Sequence, residues 1–271
     1  MSAIVEERRR ELDAAIDSLY TVFREYKFTD VIGDPAFPGF CDPATLRAAP
    51  LRELPATAFG RLAEKSMTTW GTVDDFRHFL PRLLELVVDE WSVPGTVDPL
   101  QKLGLDGLSP DIVFYKLRYG GYSTWKRREV EAIDTYLTRL WAWVLANPAD
   151  TSSEFWSSYN PSVWLHDMCE ACDVGVRFDE WVADCRRGAN AQNATCHLAN
   201  LAAQVAYDTP ILRGGHSGES VARLSAELCA SGVVATLLET HFCESADSQI
   251  AQRLSDALEI HEAWLARQKN Q

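Results

Sequence analysis

Apolar residues recur at intervals of three and four along most of the chain, the period of a helix that buries one face. Leu12, Ile16, Leu19, Tyr20 and Phe23 predict a first helix over residues 3–27. Residues 31–43 hold three prolines and two glycines and predict a loop. Asp42-Pro43 reads as a helix cap followed by proline at the first helical position, and Leu54-Pro55 opens a further helix toward Met67. Thr72 with Asp75 three residues later resembles a capping box with Asp in place of the usual Glu. Behind it Val73, Phe76, Leu80, Leu83, Leu84, Val87 and Trp91 form an apolar stripe. Asp98-Pro99 and Ser109-Pro110 are two more starts, and Gly120-Gly121 ends the second. Val130, Ile133, Leu137, Leu140, Trp141 and Val144 line a long helix that stops before Asn147-Pro148.

Residues 148–160, rich in Ser, Asp and Asn, make the clearest boundary. Shorter helices are expected over 162–174, 178–187 and 191–207, then a loop over 209–217. Val221, Leu224 and Leu228 mark one helix face, and Val234, Leu237, Leu238 and Phe242 another, with Ser231-Gly232 between them. Ile250, Leu254, Leu258, His261 and Leu265 mark a last helix. No stretch alternates like a strand, no heptad persists and no repeat of fixed period is visible. The expected fold is all-α: a multi-helix bundle or a short α-solenoid-like array of antiparallel helices. The expected division is an N-terminal helical region, 1–147, and C-terminal helical hairpins, 161–271, sharing one core.

Composition supports a packed globule: 46% of the residues are hydrophobic and 24% charged, among them nine tryptophans. The net charge of -13 argues against nucleic acid as a partner, since phosphate must be neutralised by Lys and Arg. It also argues against anionic membranes, and it suits a protein partner with a basic surface. The unbroken apolar run at residues 140–146 is far short of the ~20 residues that cross a bilayer. The N-terminal residues, from Glu6 to Glu11 all charged, have no apolar segment behind them and do not read as a secretory signal. Seven scattered cysteines suggest reduced thiols and a cytoplasmic protein.

The densest polar constellation runs from Trp70 to Arg82. Asp74, His78 and Arg82 are spaced by four, so they share one helix face opposite the apolar stripe. Asp74, Asp75, Arg77 and His78 are candidate catalytic residues, because carboxylates beside an imidazole can move a proton or hold a metal. Trp70, Asp74, His78 and Arg82 are candidate binding residues. The plainer reading of the same run is a capped helix with a solvated charged face.

Cys169 and Cys172 form a C-x-x-C, with His166 before them and Cys196 after, which would be the alternative zinc set. Leu165, Met168, Cys169 and Cys172 instead trace an apolar helix stripe, so no metal and no cofactor are expected. His241 and His261 fall on or beside apolar faces and read as hydrogen-bonded core residues. His216 lies in a Gly-rich stretch that lacks the P-loop lysine and the Rossmann spacing.

The segment Thr69-Trp70-Gly71-Thr72-Val73-Asp74-Asp75-Phe76-Arg77-His78-Phe79-Leu80-Pro81-Arg82-Leu83-Leu84-Glu85-Leu86 resembles a segment of an uncharacterised group of bacterial proteins, and Leu254-Ser255-Asp256-Ala257-Leu258 is similar to the same group. The resemblance implies a bacterial cytosolic origin and carries no known activity.

Two functions remain open at the level of sequence. One is an acidic helical module that binds a basic protein, an immunity- or antitoxin-like neutraliser being the concrete version. The other is an enzyme with a helical pocket around Asp74, Asp75, Arg77 and His78, walled by Trp70, Trp141 and Trp143, performing acid/base or metal-assisted chemistry.

Overall fold

The structure is a computed structural model, and it describes residues 2–29, 43–91, 108–148, 161–186, 190–207 and 216–270. The expectations at Asp98-Pro99, over residues 31–42, over 149–160 and over most of 209–217 lie outside these residues. Among the described residues there are twelve α-helices and no strand, only an isolated bridge between Ser66 and Trp70. The protein is all-α and built as a multi-helix bundle. It divides into two compact units: Arg9–Leu140 with Glu170–Cys172, and Met1–Arg8 with Trp141–Cys169 and Asp173–Gln271.

In the first unit, α1 (Ala3–Phe23) buries Leu12, Ile16, Leu19 and Phe23, the stripe its spacing predicts. It ends before the expected residue 27: the Tyr26 amide closes a last tight turn onto the Phe23 carbonyl, and the Tyr26 carbonyl and Thr29 amide are bonded to His78 and Asp75 near the start of α4 (Val73–Trp91). A short α2 (Pro43–Leu46) begins at proline, as expected. The expected continuous helix behind Leu54-Pro55 is instead a single 3-10 turn, Ala56–Ala58, followed by α3 (Gly60–Lys65); another such turn, Leu51–Glu53, precedes Leu54. Leu54 precedes Pro55 and is extended, at φ -67° and ψ 130°, as the proline ring requires of the residue before it. α4 runs through Pro81 and buries Phe76, Leu80, Leu83, Leu84 and Val87. α5 (Pro110–Tyr119) ends where Gly121 turns left-handed, at φ +66°. α6 (Arg127–Ala146) adds Ile133, Tyr136, Leu137 and Leu140, and the Tyr136 hydroxyl donates to the Leu84 carbonyl at 2.8 Å.

The second unit holds the end of α6, α7 (Pro161–Met168), α8 (Val174–Arg186), α9 (Ala191–Ala206), α10 (His216–Ala230), α11 (Val233–Glu244) and α12 (Ser248–Gln268). The helix expected over 162–174 stops at Met168. A new one starts at Val174, earlier than 178, because Asp173 Oδ1 accepts from the Gly175 and Val176 amides at 2.8 and 3.3 Å. His216 and Ser217, expected in a loop, belong to α10. α9 is the central helix and packs on α8, α10, α11 and α12. One helix touching four others is bundle packing, whereas each repeat of a solenoid meets only its neighbours. Ala194, Leu198, Leu201 and Ala202 of α9 meet a core to which α12 contributes Leu254, Ala257, His261 and Trp264. Among the described residues no single helix is long and apolar enough to cross a membrane.

Candidate functional site

The Trp70–Arg82 segment begins in a tight loop. The Trp70 amide donates to the Lys65 carbonyl and its own carbonyl accepts from Met67, at 3.1 and 2.8 Å, while the indole is buried. Gly71 has φ +64°, and a Cβ there would lie 3.1 Å from that of Asp75, so glycine is required twice over. The capping box then forms reciprocally: Thr72 Oγ1 accepts from the Asp75 amide at 3.3 Å, and Asp75 Oδ2 accepts from the Thr72 amide at 2.8 Å. Oδ2 also accepts from the Thr72 hydroxyl, at 2.7 Å. Asp75 Oδ1 accepts from the amide and hydroxyl of Thr29, at 2.9 and 2.8 Å. Burial by itself would raise this carboxyl, but the amides and hydroxyls of Thr29 and Thr72 outweigh it and hold Asp75 below its ordinary range.

Asp74, one residue earlier, is exposed and pairs with Arg77 Nη1 at 2.8 Å. The Arg77 guanidinium lies over the Trp125 ring at 4.3 Å and the Tyr26 ring at 5.2 Å. Its Nε is 3.8 Å from Oε2 of Glu129, a fully buried carboxylate whose Oε1 accepts from the Tyr26 hydroxyl at 2.6 Å. His78 is half-buried, not fully solvated. Its Nδ1 is 3.0 Å from the Tyr26 carbonyl, which can only accept, so Nδ1 carries the proton. Burial pulls the imidazole below its usual value against the opposing effect of that bond, and Lys27 lowers it further. Arg82 donates to the Leu54 carbonyl at 2.9 Å and to Glu85 Oε2 at 2.6 Å.

The face expected to be solvated is therefore largely a set of clamps. Asp75 and His78 hold residues 26–29 behind α1, and Arg77 engages the start of α6. Arg82 holds the turn at Leu54. Of the four catalytic candidates only Asp74 projects into solvent. Trp70 belongs to the first unit, while Trp141 and Trp143 belong to the second.

The alternative metal residues are also committed elsewhere. His166 Nδ1 is 3.6 Å from Asp167, and the Cys169 thiol donates to the His166 carbonyl at 2.7 Å. Cys169 and Cys172 lie in the turn after α7, not on a helix stripe, because α7 ends at Met168. Cys196 is buried in α9, and burial raises its thiol. Among the described residues no group of three or more His, Cys, Asp or Glu is placed to hold a metal ion.

Three polar centres escaped the sequence reading. Glu85 accepts from Tyr20 Oη at 2.7 Å, from Arg52 Nε at 2.9 Å and from Arg82. It sits between Leu84 and Leu86, a position that already signals burial. Glu129 is four residues before Ile133, on the apolar stripe of α6. On α9, Asn190, Asn193, His197, Asn200 and Gln204 recur at helical spacing, a face of amides and imidazole that a search confined to catalytic motifs overlooks.

The fold and the polar centres define the class as an all-α protein of two helical units whose densest polar segment faces inward. No protein-family model, curated protein or solved structure matches the chain.

Proposed function

We propose that the protein is an acidic helical binding module that neutralises a basic protein partner in the manner of an immunity protein or antitoxin, acting in a bacterial cytoplasm. The observation that carries this reading is the uneven charge. Residues 151–271 hold sixteen Asp and Glu against eight Lys and Arg, and so supply eight of the thirteen net negative charges. In the second unit Glu239, Glu244, Asp256, Glu259 and Glu262 are exposed along α11 and α12. An acidic surface of this kind steers a basic partner into encounter and disfavours acidic competitors. The commitment of Asp75, His78 and Arg82 to internal hydrogen bonds weighs against both catalysis and binding at that segment, so the reading rests on the acidic residues of α11 and α12.

The test is affinity capture from native lysate with the wild-type chain and with E239K/E259K/E262K. A basic polypeptide retained by the wild type, released by high salt and lost from the triple variant supports the reading. Capture of an acidic partner, or binding indifferent to both salt and charge reversal, overturns it.

A further inference from the structure

The last turn of any helix leaves carbonyls without intrahelical donors, and they must find partners elsewhere. At the end of α6 those partners come from one face of α9 and its cap. Asn190 Nδ2 donates to the Leu145 carbonyl at 3.0 Å, and Asn193 Nδ2 donates to that of Ala146 at 3.0 Å. His197 Nε2 reaches the carbonyl of Asn147, the next residue, at 2.8 Å. A carbonyl only accepts, so Nε2 carries the proton and Nδ1 of the neutral ring is a bare lone pair. His197 is 1% exposed, and among the described residues no group bonds to that Nδ1. A second proton on this ring would therefore create a buried cation whose new N–H has no acceptor among the described residues.

We propose that the seam between α9 and the end of α6 is an acid-sensitive latch, closed by uncharged His197 and released when the seam opens and the imidazole takes up a proton. Asn190 and Asn193 make the same kind of bond without titrating themselves, although Asn190 also bonds the Asp184 carboxyl of α8.

The surrounding charges set the sign. Arg253 of α12, bonded through Nη2 to Asn200 Oδ1 on α9, opposes a positive imidazole. On α8, burial raises the carboxyls of Glu180 and Asp184. On α11, His241 Nε2 lies 2.7 Å from the Cys185 carbonyl. On α10, Arg223 and Glu227 are exposed and paired with each other. Burial holds His197 down at about 4, against the bond to Asn147 that raises it, whereas the unfolded ring titrates near 6.5. A depressed folded value means stability that is complete above the unfolded value and lost as the pH falls toward the folded one. Between pH 7 and pH 5 this group alone raises the opening constant about twentyfold. Glu180 and Asp184 act in the opposite sense, because their folded values are raised and they take up protons before the unfolded chain does. The latch is therefore read by comparing variants and not from the wild type alone.

Amide hydrogen exchange of α9 and of the end of α6, at pH 7 and pH 5, gives the opening constants of the wild-type seam against which the variant is compared. His197→Gln, which keeps a donor for the Asn147 carbonyl but cannot ionise, should show the ratio of its opening constants at the two pH values reduced about twentyfold relative to wild type. An NMR titration of the His197 ring in the folded wild type decides the matter even where the variant fails to fold. A ring resonance that stays at its neutral position down to about pH 5 supports the latch. A folded ring titrating near 6.5, or a variant with the wild-type pH response, overturns it.

Discussion

Replacing Asp75 by alanine removes one carboxylate that accepts four hydrogen bonds: two from Thr29, which follows α1, and two from Thr72 at the start of α4. The two threonines are exposed, so their hydroxyls can turn to water once the carboxylate is gone. Their amides lose a charged acceptor, worth about 1.5 kcal/mol each at the lower end for such bonds, so the expected loss is about 3 kcal/mol. Asp75→Asn keeps one acceptor oxygen but turns an NH2 group toward donors, so about half of that loss is expected. Asp74→Ala, one residue away, removes only an exposed pair with Arg77 and should cost less than about 0.5 kcal/mol. Urea melts followed by far-ultraviolet circular dichroism measure all three. The folded Asp75 carboxyl lies below its ordinary value of 3.8, so its contribution is complete above that pH and is lost as the pH falls through the folded value. The wild type should therefore lose its advantage over Asp75→Asn in strong acid. Equal melts for the Asp74 and Asp75 alanine variants at neutral pH would refute the clamp.

Leu83→Ala, at a side chain with no exposure, should lose ~2–5 kcal/mol in the same melts, the transfer and cavity cost of a buried leucine. Glu85→Ala should lose about 2–3 kcal/mol, because it strands the mostly covered Arg82 along with the Tyr20 hydroxyl. A loss below about 0.5 kcal/mol, the usual range for surface sites, would show that Glu85 is not a centre of the first unit. Exposed Cys243 should react rapidly with a water-soluble thiol reagent, whereas Cys185 and Cys229, pushed up to about 12 by burial, should react only in denaturant. Peptide mapping that finds either buried cysteine among the fast thiols would contradict the packing of the second unit.

The residues themselves show how far sequence alone reached. Apolar spacing located the faces of α1, α4 and α6, because a helix face buried against any partner needs the same period of 3.6; on α12 the buried face is Leu254, Ala257, His261 and Trp264, while Ile250, Leu258 and Leu265 are half-buried. The Thr72–Asp75 box and the Ser109-Pro110 start were legible because caps act within three or four residues. Less legible were helix ends that depend on distant groups. α1 stops at Phe23 where Asp75 and His78 bond the segment that follows, and the helix expected behind Leu54-Pro55 is broken into a 3-10 turn and the short α3.

What the chain determined by itself is its class, its amphipathic helices and its acidic excess, all of which depend on local order or on sums over residue types. What only the tertiary structure decided is the destination of the polar groups. Asp75 and Thr29 meet across 46 residues, Tyr136 and Leu84 across 52, and Tyr26 and Glu129 across 103. His78 looked like a surface imidazole because helical spacing gives a side chain's direction but not what lies beyond it. The Tyr26 carbonyl comes from another segment, and a buried hydrogen-bonding group must be satisfied wherever the fold brings a partner.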